Sequence, residues 1–164
     1  MLTSFNGINA FTSPFVKSRS VAFSTRDMSL NAEGKVAQEV TGEELEIMLT
    51  EWDQPLLLDA YATWCGPCVL MAPHFEAAAK ELEGKVRFVK LDTDKEPEMA
   101  GRLNIMGLPT LMFLDELKSE DGAEAGEAKA VLKNKIEGAI TKDSIVELCN
   151  HHFFGGPMPI DPRA

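Results

Sequence analysis

The stretch Trp64-Cys65-Gly66-Pro67-Cys68 carries the most evident chemistry of this chain. A short apolar run precedes it and a helical pattern follows, so the two thiols stand where a strand gives way to a helix. Thiols at this spacing can close a small disulfide ring. The first lies at the positive end of the helix dipole, beside unpaired backbone N–H groups. Both effects favour thiolate and should bring Cys65 below the ~8.5 of a free thiol. Thiolate is the reactive species in disulfide exchange. Cys68, one turn along and deeper, is placed to attack a mixed disulfide formed on Cys65. Two other chemistries share the spacing. Zinc wants four ligands, and the remaining donors are His74, Cys149, His151 and His152, with no second Cys-x-x-Cys pair. A purely structural disulfide would close a tiny loop and stabilise little.

Asp59 lies within Leu56-Leu57-Leu58-Asp59-Ala60-Tyr61. A carboxylate in such a run is expected to be buried, and burial without a strong partner raises its pKa.

The elements that must position these groups alternate along the chain. Residues 35–40 suit a short edge strand. Thr41 and Glu44 form a capping box ahead of Leu45, Met48, Leu49 and Trp52 at helical spacing. Leu56 to Tyr61 reads as a strand covered on both faces. Phe75, Ala78, Ala79 and Leu82 mark the helix that follows the cysteines, with a kink expected at Pro73. Val86 to Leu91 reads as a central strand, Asp94 as the cap of a short helix through Leu103, and Thr110 to Leu114 as a fourth strand. Residues 130–137 suit a fifth strand, and Thr141 caps a last helix. Strands alternating with helices predict an α/β fold with a mainly parallel sheet and helices on both faces.

The chain has 164 residues, 45% hydrophobic and 26% charged, enough for one domain with a leader or tail. No apolar run approaches the ~18 residues of a membrane span. A net charge of −10 disfavours direct nucleic-acid binding. Three cysteines are too few for a disulfide-stapled mini-domain. Residues 1–30 differ from the rest, with Lys17, Arg19 and Arg26 against Asp27 alone, and with nine Ser or Thr. This composition predicts that residues 1–34 are an organelle transit peptide or a disordered leader. Residues 35–153 form the expected domain. Residues 116–130, acidic and rich in Ala and Gly, read as an exposed insertion, and 154–164 as an irregular Pro/Gly-rich tail.

The wording of these segments resembles the thioredoxin family. The resemblance rests on Leu56 to Cys68, Met71-Ala72-Pro73, Val89-Lys90-Leu91-Asp92-Thr93-Asp94 and Gly107-Leu108-Pro109-Thr110, and extends over about residues 36–152. Tyr61-Ala62-Thr63-Trp64 and the Asp-Thr-Asp after Leu91 are most similar to plastid thioredoxins of the y and z types. The resemblance implies a thioredoxin fold, with a central mixed, mostly parallel sheet. It implies Cys65 as attacking nucleophile, Cys68 as resolving thiol, and a redox-active Cys65–Cys68 disulfide with no cofactor or metal. Pro109 matches the cis-proline beside the disulfide, Asp59 a buried acid that deprotonates the resolving cysteine through water, and Lys90 its partner lysine. Asp59 and Lys90 as a buried ion pair without catalytic use is the alternative. Trp64, Gly66, Pro67, Met106, Gly107, Leu108 and Gly138 match an apolar docking rim. Gly66-Pro67 between the cysteines resembles the reducing members rather than oxidases or isomerases.

Two departures stand out. Many family members carry Lys or Arg after the second cysteine; here it is Val69, and Glu137 adds a negative charge beside Gly138. The family joins the segments around Pro109 and Gly138 by a tight hairpin, so the acidic stretch is an insertion. Cys149 shares an apolar helical face with Ile145, Leu148 and His152 and reads as a buried hydrophobe, with a regulatory thiol as the alternative. His151 and His152 fall at a helix C-terminus, where cationic character is favourable.

The expected function is reduction of disulfides in target proteins, in the plastid or alternatively the mitochondrion. A ferredoxin- or NADPH-dependent thioredoxin reductase would supply electrons, and the protein would be a monomer. The alternative is a thioredoxin-fold interaction subunit of a plastid complex whose redox activity is dispensable.

Overall fold

The computed structural model describes residues 36–116 and 130–160. The leader, residues 117–129 of the acidic insertion and the last four residues lie outside the described residues. The elements are β1 (Gln38–Glu39), α1 (Gly42–Thr50), β2 (Leu56–Tyr61), α2 (Gly66–Glu81), β3 (Arg87–Asp92), α3 (Pro97–Arg102), β4 (Thr110–Glu116), β5 (Ala130–Glu137) and α4 (Lys142–Phe154). The strands form one sheet in the order β1-β3-β2-β4-β5. β1, β3 and β2 run parallel, while β4 pairs antiparallel with both β2 and β5. The sheet is mixed, as expected, but its parallel part ends at β2.

Side-chain alternation along the central strands divides the core in two. Leu57 of β2 and Phe88 of β3 pack with Met71 and Phe75 of α2 and Ile145 and Leu148 of α4. Leu56 and Leu58, Val89 and Leu91 face the other way, against Leu45 of α1 and Met99 of α3. Each fully buried Leu, Phe or Ile of this kind contributes roughly 1.5–3 kcal/mol.

The predicted capping box is present: the Glu44 N–H donates to Thr41 Oγ1, and the Thr41 N–H donates to the Glu44 carboxylate at 2.9 Å. α1 stops at Thr50, so Trp52 reaches the core from beyond the helix. Asp94 does not cap α3. That helix starts at Pro97, whose fixed φ and missing N–H suit a first turn, and its N-cap Glu96 makes no side-chain cap bond. α2 is continuous through Pro73. β4 extends to Glu116 and pairs it with Ala130, so both ends of the acidic segment belong to the sheet. Thr141 caps α4, and Gly155 closes it in a left-handed conformation.

Candidate functional site

β2 delivers the chain to Cys65, which is the N-cap of α2. Cys65 and Cys68 form a disulfide, and the Cys68 N–H donates to Cys65 Sγ at 3.2 Å. That N–H and the helix dipole would stabilise a Cys65 thiolate in the reduced protein. Both cysteines are 4% exposed, so Cys68 is no deeper by overall burial. What separates them is access. Cys65 lines a surface groove together with Trp64, Gly66 and Pro67, and Cys68 does not.

The rest of the groove comes from Thr93, from Ala100 of α3, and from the loop Ile105-Met106-Gly107-Leu108. This loop ends in a cis Leu108–Pro109 bond. The Gly107 carbonyl accepts from Thr110 Oγ1 at 2.7 Å, and the Pro109 carbonyl accepts from the Gly138 N–H at 2.8 Å. Gly138, at φ +100°, turns the chain after β5 and through this bond holds Pro109 to the end of that strand. Trp64 is 72% exposed, and its Nε1–H donates to Asp94 Oδ2 at 2.8 Å, which is where the expected helix cap is spent.

Asp59 is buried, 1% exposed. Alternation puts it on the same sheet face as Leu57, the face covered by α2. Cys68 clusters with Tyr61 and Ala62 at the end of β2, while Phe75 belongs to the cluster of Leu57 near its start, so the first turn of α2 lies toward the end of the strand beyond Asp59. Burial pushes the carboxyl up to about 7, against a smaller opposing pull from Lys90. Lys90 is the direct cross-strand neighbour of Asp59 but makes no ion pair with it. Its Nζ stands over the Tyr61 ring, 4.4 Å from the centroid. The partner lysine acts on Asp59 at a distance, and a buried Asp59–Lys90 ion pair is not present.

Sequence reasoning missed Leu70, which is 73% exposed beside Val69 at 62%. A signal existed: Met71, Phe75, Ala78 and Leu82 define the buried stripe of α2, and Val69 and Leu70 fall outside it. His151 and His152 lie in the last turn of α4, as expected, but the charge expected of His152 does not follow. His152 Nε2 lies 3.0 Å from Asn134 Nδ2, and burial, then His151 and Lys133, lower its pKa. A neutral ring is favoured there, not a cationic one. His74 Nδ1 accepts the Lys142 N–H at 3.3 Å and so holds the start of α4 to α2. Among the described residues no cluster of three His, Cys, Asp or Glu is arranged to hold a metal ion.

Comparison with known proteins matches the thioredoxin family model to residues 36–145. The chloroplastic thioredoxin-like protein CITRX of Oryza sativa subsp. indica is 48% identical over 87 residues, 52% of this chain and 46% of that protein. Chloroplastic thioredoxin Y1 of Arabidopsis thaliana is 33% identical over 111 residues, 68% of this chain and 57% of that protein. The chain spans about half the length of the curated relatives it matches. A crystal structure of a chloroplastic thioredoxin z superposes with a TM-score of 0.56 at 34% identity, covering 70% of this chain and 92% of that one. Kinship with chloroplastic proteins places the chain in the plastid. Family members of this kind need no cofactor. The family model, the mixed five-stranded sheet and the paired cysteines at the start of α2 agree: the chain belongs to the thioredoxin family.

Proposed function

We propose that the protein reduces disulfides in plastid target proteins through the Cys65–Cys68 pair. The observation that carries this reading is the position of the two cysteines relative to the groove: Cys65, the N-cap of α2, lines it, and Cys68 does not. The Cys65 thiolate attacks one sulfur of a target disulfide, and the other target sulfur leaves as thiolate. Cys68 then gives its proton to the Asp59 carboxylate and attacks the Cys65 sulfur. The second target thiol leaves, and Cys65–Cys68 is oxidised by two electrons. A thioredoxin reductase, ferredoxin- or NADPH-dependent, restores the dithiol. Trp64, Gly66, Pro67, Met106, Gly107 and Leu108 form the surface on which the target lies, with Pro109 and Gly138 supporting it. Residues 1–34 serve as the transit peptide.

The midpoint potential of the couple tests this. A value near the roughly −270 mV of a reducing thioredoxin supports outward electron flow, and one near the −180 or −120 mV of isomerases and oxidants overturns it. The exposed apolar pair Val69 and Leu70 favours a second reading, an interaction subunit. Full rescue of a null mutant by the Cys65→Ser, Cys68→Ser double variant would select it.

A further inference from the structure

We propose that the groove selects target segments carrying Lys or Arg close to the disulfide, and that Glu137 is the residue that reads this charge. The inference deepens the disulfide-exchange reading and rests on it.

The groove wall holds no charged side chain. Charge enters at its rim, from Asp94 and Glu137 and from Lys135, whose ammonium donates to the Asn104 carbonyl at the start of the loop. Asp94 holds the Trp64 indole. Glu137 is exposed, and its Oε2 lies 3.3 Å from where a Cβ on Gly107 would stand, so the carboxylate rests against the backbone of the wall. Among the described residues neither carboxylate has a cationic partner. The cations nearest in sequence make other bonds. Lys95 Nζ lies 2.7 Å from Glu39 and 3.4 Å from Asp92. Lys133 faces Asp115 at 4.0 Å, and Lys135 donates to the Asn104 carbonyl. The helix position after Cys68 offers Val69 instead of a cation. The net charge of −10 adds the same sign at long range.

An uncompensated carboxylate at the lip of an apolar groove is complemented by a cation on the occupant. The occupant that fits is a cystine-bearing polypeptide segment with apolar flanks and a basic side chain within reach of Glu137. An arginine could engage the carboxylate through two parallel N–H bonds. An exposed pair of this kind changes association about two- to fivefold and is weakened by salt.

The test uses the reduced full chain and two disulfide-linked peptides, identical except for Arg or Glu two residues from the cysteine. The readout is the ratio of their second-order rate constants, in which changes in folding or thiol reactivity cancel. The Arg peptide should be favoured about two- to fivefold at low salt, with the ratio approaching one at high salt. Glu137→Gln should lower the ratio, and Glu137→Lys should bring it to one or below. A wild-type ratio near one at low salt, or a ratio unmoved by Glu137→Lys, overturns the proposal. Thioether analogues of both peptides, which cannot exchange, report the same preference by binding to the oxidised protein, read at the Trp64 indole resonance. If neither disulfide peptide is reduced but the Arg thioether binds more tightly, the reductase reading fails and the charge assignment stands. Equal binding of the two thioethers sinks the assignment.

Discussion

Asp59 and Lys90 are adjacent across β2 and β3, yet the ammonium group turns to the Tyr61 ring and leaves Asp59 Oδ1 without a hydrogen-bond partner. A buried carboxylate that is neither paired nor fully bonded is destabilised in its charged form. The group is thereby tuned to about 7, where it can take a proton from a neighbouring thiol and return it to water. Stability is given up at this position in exchange for proton-transfer capacity, and the two quantities can be measured separately.

The folded pKa of Asp59 lies above its unfolded value, so the folded state holds the extra proton between about pH 4 and 7. The stability tied to this group is full below about pH 4 and is lost as pH rises to about 7. Asp59→Asn should therefore stabilise the oxidised protein by on the order of 4 kcal/mol at about pH 8 and by little at about pH 4. Denaturant melts at the two pH values check this; equal effects at both would mean that Asp59 ionises freely. The same variant should slow release of the mixed disulfide by about tenfold or more and flatten its pH dependence.

Lys135 of β5 donates to the carbonyl of Asn104, the residue with φ 52° at the start of the groove loop. This bond and the Gly138–Pro109 bond tie the loop to β5. Lys135→Met should raise KM for a protein disulfide by about three- to tenfold with the midpoint potential unchanged, and Lys135→Arg should recover most of the loss. Steady-state kinetics and a redox titration separate the outcomes. A shifted potential would mean that Lys135 acts on the thiol pair itself.

The residues that could be read from sequence are those whose environment is set by near neighbours. Cys65 at a helix start follows from β2 and the stripe of Phe75, Ala78, Ala79 and Leu82; the Thr41 cap follows from Glu44 three residues on. Asp59 was legible because three leucines precede it, and Ala60 and Tyr61 follow it, on one strand. What escaped depends on contacts distant in sequence. The Trp64 indole takes Asp94 from the helix it was expected to cap, and Lys90 prefers the Tyr61 face to Asp59. His152 meets Asn134 of β5, and burial, His151 and Lys133 favour its neutral form although its place on α4 favours charge. No local pattern encodes such pairings, since each partner is reached only after the sheet has formed.

Cys149 is fully buried between Leu148 and the α2 side of the core, and burial pushes its thiol up to about 12. Its thiolate is scarce at neutral pH, and reagent has no path to it. Under reducing conditions iodoacetamide should label Cys65 rapidly in the native protein and Cys149 only at the rate of unfolding. Peptide mass mapping over a denaturant series reads both. Rapid native labelling of Cys149 would restore the regulatory-thiol alternative.

Gly138 and Gly66 separate backbone conformation from crowding. An added Cβ at either would meet nothing within 4 Å, but Gly138 has φ +100° and Gly66 has no such requirement. Gly138→Ala should therefore destabilise the protein by about 1–2 kcal/mol through backbone strain alone. It should also loosen the bond from the Gly138 N–H to the Pro109 carbonyl, and with it the support of the groove loop. Gly66→Ala lies in the first turn of α2, where alanine is the better helix former, and should leave stability within about 0.5 kcal/mol. Denaturant melts of the two oxidised variants decide the matter. Equal losses would mean that the turn after β5 is set by something other than the left-handed conformation of Gly138.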